Sequence, residues 1–210
     1  MKNVVSFQER VCRTIIACAK IFQDTFLTYD YLVCSDAFST SFHTITAHEG
    51  NYLHLTGVHT NLKAIDFFNK CIKQTLQITD FDFKKPGVSV TSVKGSVREK
   101  ITVLPYLNNF FSSPLLAIEG FKDNKVLGTF ATSDKIITLG FVHRGNPMSL
   151  LKGMKLDKNI AKPVELVFRK PKNVDKFSEI ILGEINLPKY KPHIASRLSS
   201  EINTFTTLRT

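Results

Sequence analysis

Apolar side chains recur at Phe7, Val11, Ile15, Ala19 and Phe22, the spacing of one helical face, and predict an amphipathic helix over Ser6 to Gln23. Ser6 and Glu9 stand at the separation of a capping box that would start it. Tyr29 to Cys34 then reads as a strand, and the Ser/Thr-rich stretch from Ser35 to Thr46 as strand or loop. Over Tyr52 to Val58 apolar and polar residues alternate, which predicts a strand with Leu53 and Leu55 on one face, His54 and Thr56 on the other, and Gly57 at its end.

Leu62, Ile65, Phe68, Ile72 and Leu76 predict a second helix over about 62–77, with Asn61 as its N-cap. A weaker third helix over Val97 to Leu107 would be kinked or shortened by Pro105. Three strand-like runs follow, Leu115–Phe121, Val126–Thr132 and Ile136–Val142. Their Lys122–Lys125 and Ser133–Lys135 turns predict an antiparallel meander. Asn146–Leu151 reads as a short helical start with Pro147 in its first turn, Val164–Phe168 as another strand, and the chain from about Leu187 as an extended basic segment with a weakly helical end. Helices early and antiparallel strands late predict an α+β fold. Helices should pack on one face of a mostly antiparallel sheet of about four or more strands, within a single domain over residues 1–210.

Charge changes this picture by its distribution. Residues 1–90 carry nine Lys/Arg against eight Asp/Glu, whereas the remaining 120 residues carry nineteen against ten. So one-sided an excess suits a polyanion such as RNA, although solvated surface lysines give the same count. No run approaches the roughly 18 apolar residues of a membrane span, and the first residues lack a secretory apolar stretch, so a cytoplasmic protein with no membrane partner is expected. Cys12, Cys18, Cys34 and Cys71 form no C-x-x-C pair and are expected to be reduced and buried.

Phosphate-binding glycine loops, dinucleotide fingerprints and H-E-x-x-H are all missing from the sequence. His48-Glu49 and the pair Asp80 and Asp82 are the acidic candidates for a divalent ion, but isolated carboxylates near turns are usually solvated, and neither a metal nor a cofactor is expected. What remains is a set of His, Lys, Arg and hydroxyl residues suited to cutting RNA without a metal. Such cleavage needs a base for the 2′-OH, cations for the crowded phosphate, and a proton for the leaving 5′-oxygen. His54, Lys100, Arg144, Ser149 and Thr56 are the catalytic candidates, and His59, His143 and Lys152 the substrate-binding ones. Each has a plain structural alternative: a histidine on a sheet face, a charged turn, a helix cap or a solvated lysine.

The run Tyr52-Leu53-His54-Leu55-Thr56-Gly57-Val58, followed by Ala64-Ile65-Asp66-Phe67-Phe68-Asn69-Lys70-Cys71, resembles the "HLTG … A-x-x-F-[FY]" signature of the phage-associated nucleases grouped with barnase, EndoU, colicin and RelE. Leu139-Gly140-Phe141, Pro147 to Leu151 and a strand ending in Lys170 are similar to its downstream part, so the resemblance spans roughly residues 30 to 182. It implies helices on a four-stranded antiparallel sheet and metal-independent RNA cleavage. The matched positions are His54, Thr56, Lys100 and Ser149, while Arg144 rests on placement alone. Two readings stand side by side. One is a ribonuclease of a phage or mobile element, acting as a toxin or host-takeover factor and held in check by a cognate immunity protein. The other is a non-catalytic nuclease-fold protein that binds RNA or a host protein, nucleoprotein or defence complex. A third, DNA binding, finds no helix-turn-helix or zinc-finger pattern.

Overall fold

The computed structural model describes residues 5–123 and 126–205 of the chain. Helix α1 (Phe7–Phe22) begins as the sequence predicts: Glu9 N donates to Ser6 Oγ at 3.1 Å and Ser6 N donates to Glu9 Oε2 at 2.7 Å. It buries Val11, Cys12, Ile15, Cys18, Ala19 and Phe22 and runs into a π-helical turn over Gln23–Leu27. Then come β1 (Tyr29–Ser35), β2 (Phe42–Ile45), α2 (Asn51–Thr56), α3 (Ala64–Ile72) and α4 (Val90–Val103). Beyond a 3-10 stretch over Leu104–Ser112 lie β3 (Leu116–Glu119), β4 (Lys122–Asp123), β5 (Val126–Leu127), β6 (Phe130–Ser133), β7 (Ile137–Val142), β8 (Asn146–Lys152), β9 (Lys162–Pro171), β10 (Glu179–Leu182), α5 (Leu187–Ile194) and α6 (Ser200–Phe205).

The class is α+β, with a curled antiparallel sheet in the order β2-β1-β9-β3-β6-β7-β8 and β10 paired to β9. The expected meander is present as β3, β6, β7 and β8, and β4 with β5 prolongs its first hairpin. The expected tip of that hairpin, Asn124 and Lys125, and the chain end beyond Phe205 lie outside the described residues.

Alternation along β1 shows how the layers are built. Tyr31 and Val33 enter the main core with α1, α2, α3 and α4, whereas Leu32 and Cys34 enter a second core with Leu187, Tyr190, Ile194, Leu198 and Ile202. The sheet therefore carries its principal helical layer on one face and a smaller one, α5 and α6, over β1 and β9 on the other. A third cluster, Ile118, Phe121, Ala131 and Leu156, covers the outer face of β3 and β6. All four cysteines are free and buried.

Several local expectations are corrected. Tyr52 to Val58 is not a strand: α2 buries Tyr52, Leu55 and Thr56, the i, i+3, i+4 set of a helix, and Gly57 at φ 75° closes it as a left-handed C-cap. Asn146–Leu151 is not helical but forms β8 against β7, with Pro147 at a register shift where a missing N–H is tolerated. The second helix is shorter than 62–77, being preceded by Lys63 rather than capped by Asn61 and ending where Gln74 turns left-handed at φ 56°. The third begins earlier, at Val90, because Ser89 Oγ accepts from Ser92 N at 3.2 Å, and Pro105 falls in the 3-10 stretch after it. From Leu187 the chain is helical rather than extended: Pro188 sits in the first turn of α5, and Leu187, Tyr190 and Ile194 bury one face of it.

The curl closes where β2 meets the β7–β8 turn. Thr46 N donates to Gly145 O at 3.3 Å, and a Cβ on Gly145 (φ 70°) would lie 1.9 Å from Thr44 O. His43 of β2 braces the same closure, stacking on Phe130 of β6 at 4.3 Å with its Nε2 3.1 Å from Glu119 Oε1 of β3. Gly145→Ala should thus cost both a left-handed alanine and a backbone overlap, about 2–5 kcal/mol together. Urea unfolding reads the loss, and a change under about 1 kcal/mol would show that the seam is not tightly packed.

Candidate functional site

The six residues of α2 are too few to form a helix unaided, so its ends are held from outside. At the start, His48 N donates to Asn51 Oδ1 at 2.9 Å, and the buried Asn51 side chain reaches Met148 Sδ of β8 at 3.5 Å. Along its inner face, Tyr52 Oη donates to Ile15 O of α1 at 2.6 Å. At the far end, Thr56 Oγ1 donates to Leu53 O at 2.8 Å and Lys100 Nζ of α4 donates to His54 O at 2.9 Å. A cation at a helix C-terminus also meets the negative end of the peptide dipoles.

The Lys100 stem reaches that carbonyl by crossing Gly57. A Cβ built there would lie 2.7 Å from Lys100 Cδ, so glycine serves both the left-handed cap and the passage of the lysine. The closing glycine of the H-L-T-G run thereby acquires a physical role in placing the cation beside His54.

Electrostatics tune both groups downward. Desolvation is the first cause of a lowered His54 pKa, followed by the charges of Lys100, His48 and Lys85, although the residue remains exposed. Lys100 is brought down to about 8, first by burial and then by Lys85. At neutral pH the imidazole is therefore largely neutral and able to take a proton, while the ammonium beside it is still mostly charged. The charges of His48 and Lys85 thus act on this corner, a role that neither residue shows in the sequence. By sequence His48 stands beside Glu49 as a metal candidate, and Lys85 lies in a Lys-Lys-Pro-Gly turn that reads as surface.

The remaining candidates are dispersed. Thr56 is fully buried and spends its hydroxyl inside α2. Ser149 pairs with Gly140, its Cβ 3.3 Å from a Cβ built there, on the sheet face that holds Phe121, whereas Leu139 and Leu150 point into the main core with α2. Ser149 and α2 thus lie on opposite faces of β8. His143 and Arg144 are exposed in the β7–β8 turn, Arg144 at φ 61°. Lys152 ends β8, six residues beyond Asn146 and so about 20 Å along the strand at ~3.3 Å per residue, too far to share one phosphate with Arg144. His59 is held by Asp82, Nδ1 to Oδ1 at 3.3 Å, and Asp80 by Lys70 at 2.9 Å. Among the described residues no three or more His, Cys, Asp or Glu side chains are grouped to hold a metal ion, and no helix is long and apolar enough to cross a membrane.

A family model described as phage-Barnase-EndoU-ColicinE5/D-RelE like nuclease4 matches residues 14–197, which include α2, α4 and every strand of the sheet. The match is to the family as a whole and does not single out an H-L-T-G subgroup. No curated protein and no solved structure matches the chain.

Gly57→Ala tests the lysine passage. The added methyl should displace Lys100 from the His54 carbonyl and return its pKa from about 8 toward the ordinary 10.5, at a cost of about 1–2 kcal/mol for a left-handed alanine. Titration of the Lys100 side chain by NMR reads the first effect. An unmoved titration in a folded variant would mean that the glycine does not govern where the lysine sits.

Proposed function

We propose, because the chain belongs to the phage-Barnase-EndoU-ColicinE5/D-RelE like nuclease4 family, that this nuclease is a ribonuclease of a phage or mobile element and cuts RNA without a metal ion. The observation that carries the reading is the bond from Lys100 Nζ to His54 O, which puts a cation and a largely neutral imidazole at one corner of the fold. A toxin or host-takeover role acting in the cytoplasm is the biological setting of this reading.

In this mechanism neutral His54 takes the proton of the 2′-OH as that oxygen attacks the adjacent phosphorus. Lys100 and Lys85 stabilise the charge that builds on the phosphoryl oxygens. The imidazolium so formed returns that proton to the departing 5′-oxygen. Bonds and protons then balance: one P–O bond forms and one breaks, and the products are a 2′,3′-cyclic phosphate and a free 5′-hydroxyl. Thr56 supports α2 rather than touching substrate, and Ser149 has no part in this chemistry because it lies across the sheet.

His54→Ala should lower the rate of RNA cleavage in EDTA by about 10²–10⁴-fold, the usual weight of positioned proton transfer, while Ser149→Ala leaves it unchanged. Equal rates for wild type and His54→Ala at matched stability would end the assignment of the base. No cut by either protein would leave the nuclease-fold binder as the better reading.

The pH profile follows from the same pair. Because the His54 pKa is depressed, the base is unprotonated above the ordinary histidine range, and activity is lost as pH falls through a value below 6.5. Lys100 loses its charge as pH rises through about 8. kcat/KM should therefore form a bell with one limb below 6.5 and the other near 8, and Lys100→Arg should remove the alkaline limb, since a guanidinium stays charged there. An alkaline limb that persists in Lys100→Arg would assign it to another group.

A further inference from the structure

Near the start of α1 and along α4, the helix that carries Lys100, two aromatic rings carry three cations. Phe7 at the start of α1 and Phe83 before α4 lie 5.3 Å apart, centroid to centroid. Arg98 stands 5.1 Å and Arg10 6.0 Å from the Phe7 centroid, and Lys94 stands 5.5 Å from that of Phe83. Lys94 and Arg98 are one turn apart on α4, so they project from the same side of the helix. Lys85, two residues beyond Phe83, acts electrostatically on both His54 and Lys100 and connects this aromatic pair to the proposed site.

Of the carboxylates nearest in sequence, Glu9 caps α1 at Ser6 and Asp82 holds His59 and the Lys84 amide, while Glu99, which follows Arg98 on α4, makes no ion pair among the described residues. Among the described residues none of Arg10, Lys85, Lys94 and Arg98 forms an ion pair. Cations held on the two rings with no ion-pair partner leave positive charge that an external polyanion would neutralise. A guanidinium resting on Phe7 is also fixed as a flat plate, the shape on which an unpaired base stacks.

We infer that Lys85, Lys94, Arg98 and Arg10 form a tract that binds the phosphates and bases of single-stranded RNA flanking the bond to be cut, so that the substrate is a polynucleotide and not an isolated dinucleotide step. The inference rests on the ribonuclease reading for what happens at His54, but the tract binds whether or not cleavage follows.

The test uses the full chain carrying His54→Ala in EDTA, so that binding is read without cutting. The probes are a fluorescent 12-nucleotide single-stranded RNA of mixed sequence and a dinucleoside monophosphate, each titrated across a range of salt. Replacing Arg10, Lys94 and Arg98 together by Gln should weaken binding of the 12-mer and reduce the slope of log K against log salt by about 2, since each contact on a single strand contributes ~0.7. Binding of the dinucleoside monophosphate should not change. An unaltered 12-mer slope overturns the inference, as does equal competition by poly-L-glutamate, which would mark a surface for an acidic protein. Should the triple variant not fold, Arg98→Gln alone must lower the slope by about 0.7, and no change there overturns the inference equally. Failure of the ribonuclease reading is separate: it appears as absent cleavage by wild type while these slopes keep their values.

Discussion

The close approach of Gly145 to Thr44 and Ile45 is the constraint on which the site rests. An antiparallel sheet of this length would ordinarily splay as a twisted ribbon with two distant edges. Here the β7–β8 turn comes within hydrogen-bonding distance of the end of β2, and only a residue without a side chain fits between them. The segment leaving β2 is thereby delivered next to β8, where Asn51 finds Met148 and α2 finds a surface to lie on. Open that seam and the helix that bears His54 has no floor.

β1 is apolar on both sides because helices cover both faces of the sheet there. Its residues alternate between the main core and the core under α5 and α6, so the strand behaves as a central wall rather than as a surface-facing edge. Lys189 secures the smaller layer by bonding Asp36 at 2.7 Å and Glu165 at 2.8 Å, and Tyr190 Oη donates to Asp36. As an exposed network these bonds orient the C-terminal helices more than they stabilise them. The weight of that layer is carried by Leu187, Tyr190 and Ile194.

Elements whose signals agreed were legible in the sequence, and those whose signals conflicted were not. For α1 the periodicity and the Ser6–Glu9 cap pointed the same way, and the three-strand meander had its turns where the polar residues cluster. Tyr52 to Gly57 was ambiguous because Leu53 and Leu55 alternate while Tyr52, Leu55 and Thr56 repeat at helical spacing; in so short a window neither period prevails, and a terminal glycine ends a strand or a helix equally well. Pro147 misled in the opposite sense, since proline is common both at helix starts and at irregular positions of outer strands. Of the site, His54 and Lys100 were visible as residue types, and the bond between them was not, because it joins positions 46 residues apart. Ser149 was assigned by its motif, but which face of a strand a residue takes is settled by register, and a one-residue difference reverses it.

The brevity of α2 bears on when the protein becomes competent. A helix of less than two turns does not persist in water, and this one is held by groups that arrive late in the chain: Lys100 at one end and Met148, 97 residues beyond its partner Asn51, at the other. While a nascent chain still lacks β8, the imidazole is attached to an unstructured segment and has no fixed position relative to any cation. Ordering of α2 is thus coupled to completion of the sheet, and the arrangement around His54 emerges only with the finished fold.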